Sequence, residues 1–267
     1  MVILPAPYDG TTSYVPGTRF GPRRIIEASP YLEFYDEETE TEVYRRAPFL
    51  TLPEPELPLA AEDAVHTLKE ILRPHLARGL FPVTLGGEHT VSLAPLSLFA
   101  ERHPDLCLVQ IDAHADLRDV YQGSRFSHAC VMRRALELGV RLFQVGLRAL
   151  SREEAEFIRT SGHRVFWARE ALKDPAGVGK SILKEIGGAP VYVTIDLDGL
   201  DPSEVPGVGT PEPGGLRWYD VLDLLRELSR AKVVGFDVVE LLPLAHEHRS
   251  EFLAARLVYK FLSYLFS

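Results

Sequence analysis

Four short stretches of this chain place chemistry-bearing side chains directly after apolar runs. The richest is Asp112-Ala113-His114-Ala115-Asp116, which follows LCLVQI. In extended backbone, side chains at i, i+2 and i+4 share a face, so Asp112, His114 and Asp116 are expected to converge. Two carboxylates and an imidazole crowded at a buried strand end repel one another and lose hydration unless a cation lies among them. The interleaved alanines leave room for one. Asp196 and Asp198 again share a face, after the run VYVTI. In Gly86-Gly87-Glu88-His89-Thr90 the paired glycines permit a tight turn, and His89 opens a helix. A lone His in such a turn is more often structural, so its candidacy rests on the company of the other clusters. Glu240 closes the run KVVGFDVV and by itself reads equally well as a surface carboxylate.

The first three stretches supply four Asp and two His. That is too many hard ligands for one zinc, which takes about four donors with His or Cys prominent. It suits two divalent cations bridged by carboxylates, about 3.5–4 Å apart. Oxygen-rich donors with a minority of imidazole favour manganese over zinc, with magnesium the rival that tolerates imidazole poorly.

Positioning such clusters requires strands that end together. Apolar runs at 81–87, 106–112, 140–148, 164–168, 190–196 and 232–241, with another at VILPAP near the N-terminus, alternate with helical patterns at 60–78, 91–102 and 128–139. Ser151 with Glu154 three residues on is a capping box heading one more helix. Uninterrupted apolar strands each followed by a helix are what a parallel sheet covered on both faces needs. The expected fold is a three-layer α/β/α sandwich with a central, mostly parallel sheet, in one domain over 1–267. Ligands of such sheets bind beyond the carboxyl ends of the strands, where all four clusters fall. The Pro/Glu-rich segment 51–59 reads as a surface loop, Asp201-Pro202 as turn chemistry, and the Gly/Pro-rich stretch that follows as the rim of the site.

The bulk numbers exclude several classes. A net charge of −9 argues against nucleic-acid or anionic-membrane partners and is compatible with a cationic substrate. No window has the length or apolarity of a membrane span or signal peptide, and Cys107 and Cys130 alone make no disulfide framework, so a cytoplasmic setting is expected. The chain has no Asn, very few Gln, 20 Pro and far more Arg than Lys. Thermophily and GC-rich codon usage both produce that pattern.

Together, GGEHT, DAHAD and DLDGLDP, in this order, resemble the metal-binding signatures of the arginase/agmatinase ureohydrolase family. YDGTTSYVPGTRFGPRRIIEAS (8–29) and FSHACVMRRALE (126–137) are similar to segments of the agmatinase branch, so the likeness spans nearly the whole chain. The resemblance implies one manganese held by His89, Asp112, Asp116 and Asp196, and a second by Asp112, His114, Asp196 and Asp198. It implies that Glu240 holds a guanidinium, that His128 relays protons and that Asp116 protonates the departing amine. The implied reaction is hydrolysis of a small cationic guanidino compound to urea and an amine, with two metals lowering the pKa of water. Agmatine is the first candidate, an aminopropylated agmatine the second, then guanidino acids and formimino compounds. A single-zinc amide deacylase and a non-catalytic binding subunit of the same fold are the competing classes. Trimers or hexamers are implied as well. Two departures stand out. Leu117-Arg118 occupies the place where arginases carry an Asn for the amino-acid end of their substrate, which disfavours arginine. Leu242-Pro243 replaces the family's Asn-Pro, and His246 and His248 beyond it read as surface residues.

Overall fold

The computed structural model describes residues 1–267. Eight strands form one sheet in which every pairing is parallel: β1 (Val2–Ala6), β2 (Leu50–Thr51), β3 (Pro82–Gly86), β4 (Cys107–Ile111), β5 (Arg141–Leu147), β6 (Arg164–Trp167), β7 (Pro190–Asp196) and β8 (Lys232–Val239). Their order is β2-β1-β3-β8-β7-β4-β5-β6. β3 and β4 follow one another in the chain, yet β8 and β7 lie between them. The four strands that carry the polar clusters are therefore neighbours at the centre of the sheet.

Both faces are covered, and β4 shows why its sequence does not alternate. Cys107, Val109 and Ile111 pack on the side of the helices Pro175–Ile186, Trp218–Leu228 and Arg249–Phe266. Leu106 and Leu108 pack on the other side, against the helices Ala61–Ala77, Leu93–Ala100 and Val131–Glu137. The expected three-layer sandwich is thus the observed one. Ser151 caps the helix Arg152–Ser161, with Glu154 completing the reciprocal box. No helix is long and apolar enough to cross a membrane.

Three local expectations need adjustment. Thr51 is not loop: with Leu50 it forms β2, paired to Val2 and Ile3 at the sheet edge. Such a strand is too short and exposed to leave an apolar run. The helix expected from Val91 begins as a tight turn over His89–Ser92 before the regular helix Leu93–Ala100. Likewise, the segment expected from His128 runs as a tight turn to Cys130 and then as helix Val131–Glu137.

Candidate active site

The four clusters meet at the carboxyl edge of the sheet, on the floor of a cavity of about 300 Å³. His89 Nδ1 lies 3.2 Å from Asp112 Oδ2, 3.0 Å from Asp116 Oδ2 and 3.3 Å from Asp196 Oδ2. His114 Nδ1 lies 2.9 Å from Asp198 Oδ2 and 3.7 Å from Asp112 Oδ1. Asp112 therefore presents one oxygen to each group. Five of these side chains are almost wholly buried, with His114 more open toward the cavity.

The convergence follows a different route from simple strand alternation. β4 ends at Ile111, and Asp116 takes a left-handed φ of 51°. Its carbonyl accepts from the N–H groups of Met132 and Arg133, which holds that turn in place. Close backbone approach also matters at Gly199, where a Cβ would sit 2.9 Å from the backbone nitrogen of Asp112.

The hydrogen bonds around His89 fix the chemistry its ring can do. Thr194 Oγ1 has one proton and donates it to Asp237 Oδ1 at 2.5 Å. It must then accept from His89 Nε2 at 2.9 Å, so the ring proton sits on Nε2. Nδ1 is left buried without a hydrogen-bond partner, its lone pair aimed at three carboxylate oxygens. A lone pair facing three anions is repulsive, and a cation among them turns every contact attractive. Without one, burial alone would depress the pKa of His89, but Asp112, Asp116 and Asp196 hold it well above its usual range. Burial, then the charges of Asp198 and Asp112, push the Asp196 carboxyl well up. The donor set thus fits divalent cations, with Asp237 and Thr194 orienting His89 from behind, as outer partners of metal-binding histidines do. Two residue groups have the spacing to hold an ion, His89 with Asp112 and Asp116, and Asp112 with His114 and Asp198.

Glu240 leaves the end of β8 with a left-handed φ of 66°, an uncommon conformation that concentrates at functional sites. Its N–H donates to the Gly87 carbonyl at 2.7 Å, and its Oε1 accepts from the His89 N–H at 2.8 Å. Burial and the neighbouring Glu88 push its carboxyl well above the usual range, a penalty that a bound guanidinium would relieve. Glu88 is fully buried, and its carboxylate accepts from the Thr11 N–H at 2.8 Å and Thr11 Oγ1 at 2.5 Å. Thr11 Oγ1 in turn accepts from the His128 N–H at 3.0 Å and lies 3.3 Å from His128 Nδ1. His128 lines the cavity, and burial pulls its pKa down to about 4, so its ring is neutral at pH 7.

The outer wall is built from loops. Arg118 lies over the Tyr121 ring at 4.7 Å, with its Nε 3.9 Å from Glu154. Across from it runs the Gly/Pro-rich loop 203–215, fastened by two residues. Asp201 accepts from Ser203 at one end and from Gly214 and Gly215 at the other. The Arg148 guanidinium donates to the carbonyls of Gly146, Asp198, Gly199, Leu200 and Glu212. Asp201 keeps the turn role read from its sequence. His248 pairs with Glu251 at 2.8 Å, away from the cavity.

Seven of the eight site residues expected from the sequence line one cavity, and Asp112 lies behind them against His89 and His114. Glu88, Thr194, Asp237, Thr11, Arg148 and Glu212 were not anticipated. Asp237 and Thr194 had a signal, being polar residues inside apolar strands; the others had none that spacing alone reveals.

The sequence profile of the arginase family matches residues 1–263. An N(1)-aminopropylagmatine ureohydrolase of Synechocystis is 42% identical over 272 residues, covering 99% of this chain and 88% of that protein. An agmatinase of Pyrococcus horikoshii is 43% identical over 244 residues, covering 90% and 82%. The crystal structure of an agmatine ureohydrolase from Thermoplasma volcanium superposes with a TM-score of 0.89 at 33% identity, covering 99% of this chain and 89% of that one. Fold, site and kinship agree: the chain belongs to the arginase family. It is a hydrolase acting on carbon–nitrogen bonds of linear amidines.

Proposed function

We propose that this enzyme holds two manganese ions and hydrolyses agmatine to putrescine and urea. The observation that carries the reading is the bare, buried Nδ1 of His89 facing Asp112, Asp116 and Asp196, beside a second group that shares Asp112. His89, Asp112, Asp116 and Asp196 would hold one ion, and Asp112, His114, Asp196 and Asp198 the other. Bound together, two such ions lower the pKa of water enough to supply hydroxide near neutral pH.

The protein's own groups do the rest. A guanidinium is planar, cationic and a poor electrophile, so it must be oriented. The Glu240 carboxylate, fixed by the His89 N–H, suits its fork of donors and holds the central carbon above the floor. Addition at that carbon gives a tetrahedral species, and the bond to the alkylated nitrogen then breaks. Asp116 would take the proton of the added hydroxyl and pass it to that nitrogen, and His128, neutral at pH 7, would exchange protons with solvent at the rim. Urea and a primary amine remain.

Two observations on the outer wall favour a cationic tail over an amino acid. Among the carboxylates lining the cavity, only Glu212 has neither a hydrogen bond nor an ion pair to its side chain, while Arg118 already faces Tyr121 and Glu154. The name of the Synechocystis relative supports a second reading, the same cleavage of an aminopropylated agmatine to give spermidine. Urea release by the manganese-loaded enzyme tests both. Agmatine or its aminopropyl derivative should be turned over far faster than arginine; equal or better turnover of arginine contradicts the assignment.

A further inference from the structure

Two of the three glutamines in this Asn-free chain, Gln110 and Gln144, sit wholly buried in the middle of apolar strands. They are register partners on β4 and β5, on the same face of the sheet. A buried amide is costly unless its donors and acceptor are all used. Here all four amide N–H groups have partners. Gln110 Nε2 donates to Asp112 Oδ2 at 2.6 Å and to the His114 carbonyl at 3.4 Å. Gln144 Nε2 donates to Gln110 Oε1 at 2.5 Å and to the Ala115 carbonyl at 2.8 Å. The two carbonyl acceptors fix which way each amide points. Gln144 Oε1 must then accept from His163 Nε2 at 2.8 Å, which leaves His163 Nδ1 to accept from Ser161 Oγ at 2.6 Å.

Every donor in this series points the same way, from half-exposed His163 near the sheet edge to the carboxylate shared by the two candidate ion groups. Aligned bonds of this kind polarise one another. The same amides also hold the backbone of His114 and Ala115, just where the chain leaves the strand and turns toward Asp116. We propose that Gln110, Gln144 and His163 form a positioning relay that sets the Asp112 carboxylate and the 112–116 turn for cation binding. The relay rests on the metal-centre reading above. It acts through Asp112, and none of its three members touches the substrate.

Calorimetric titration of chelator-stripped, full-length protein with Mn²⁺ tests it independently of activity. Gln110→Leu should weaken Mn²⁺ binding by about 10- to 100-fold, the usual cost of removing an outer partner of a metal ligand. Gln144→Leu should weaken it in the wild-type background but by less than about twofold in the Gln110→Leu background, because both act along one path. Wild-type affinity in Gln110→Leu, or full additivity of the two, overturns the relay. His163→Phe reads the same path from its half-exposed end should the core variants not fold. A Kd weakened about two- to fivefold supports the relay, and an unchanged one contradicts it. Absence of Mn²⁺ binding by the wild type would instead overturn the metal centre itself, and the relay with it.

Discussion

At the floor of the cavity, His89, Asp112, Asp116, Asp196 and Asp198 leave the ends of strands buried on both faces, and each is braced by further hydrogen bonds. At the rim, Thr12, Tyr14, Tyr121, Thr210 and Glu212 stand on loops, and Tyr14 is among the most exposed large side chains of the molecule. The floor is fixed by the sheet, through the ends of β3, β4, β7 and β8. The rim is fixed by a few local bonds, notably those of Arg148 and Asp201, and is free to differ between substrates. Chemistry and specificity are thereby separated along the depth of one pocket.

Substitutions should reproduce that gradient. Asp112→Ala and Asp196→Ala, which each remove a carboxylate proposed to be shared by both ions, should reduce urea release to background and lower the manganese content measured by elemental analysis. Glu240→Gln should keep its metal yet lose about 10²–10³ in kcat, as removal of one oriented electrostatic partner does. Normal turnover by that variant would remove Glu240 from the guanidinium role. Asp237→Asn, one layer behind His89, should cost about 10- to 100-fold in metal affinity. At the rim, Glu212→Gln should lower the kcat/KM ratio of agmatine over uncharged pentylguanidine by about tenfold, or 1.4 kcal/mol, mostly through KM. A parallel loss on both compounds would make Glu212 structural.

The smallest effect concerns stability. Burial holds both His128 and His163 at about 4, below the ordinary histidine value near 6.5. The unfolded chain therefore binds these protons first. The stabilising contribution is intact above about pH 6.5 and is lost as pH falls through that value toward 4. The difference in thermal melting between the metal-free wild type and His163→Phe across this window should show the slope that His163 contributes.

Much of the floor was legible because period-two spacing and an apolar run are local. D-x-H-x-D after LCLVQI pointed to Asp112, His114 and Asp116, which do meet at one edge of the sheet, although the left-handed Asp116 brings them together rather than continuous extension. The strands were legible as apolar runs, but their order was not, since β8 and β7 insert between β3 and β4 through contacts distant in the chain. The supporting layer stayed hidden for the same reason. A lone Gln110 or Asp237 in an apolar strand signals a buried polar role, yet its partner is set by strand pairing: Gln144 lies on β5, and Thr194 and Tyr192 lie on β7. Glu212 was hidden differently. The loop that carries it reads as a rim, but only the absence of a partner in three dimensions marks it out.

The central claim is that two cations reconcile the buried carboxylates around His89 and His114. Anomalous diffraction at the manganese edge from Mn²⁺-soaked crystals tests it most directly. Two peaks about 3.5–4 Å apart, one against His89 Nδ1 and one against His114 Nδ1, are predicted. A single peak, or peaks remote from both rings, would contradict it.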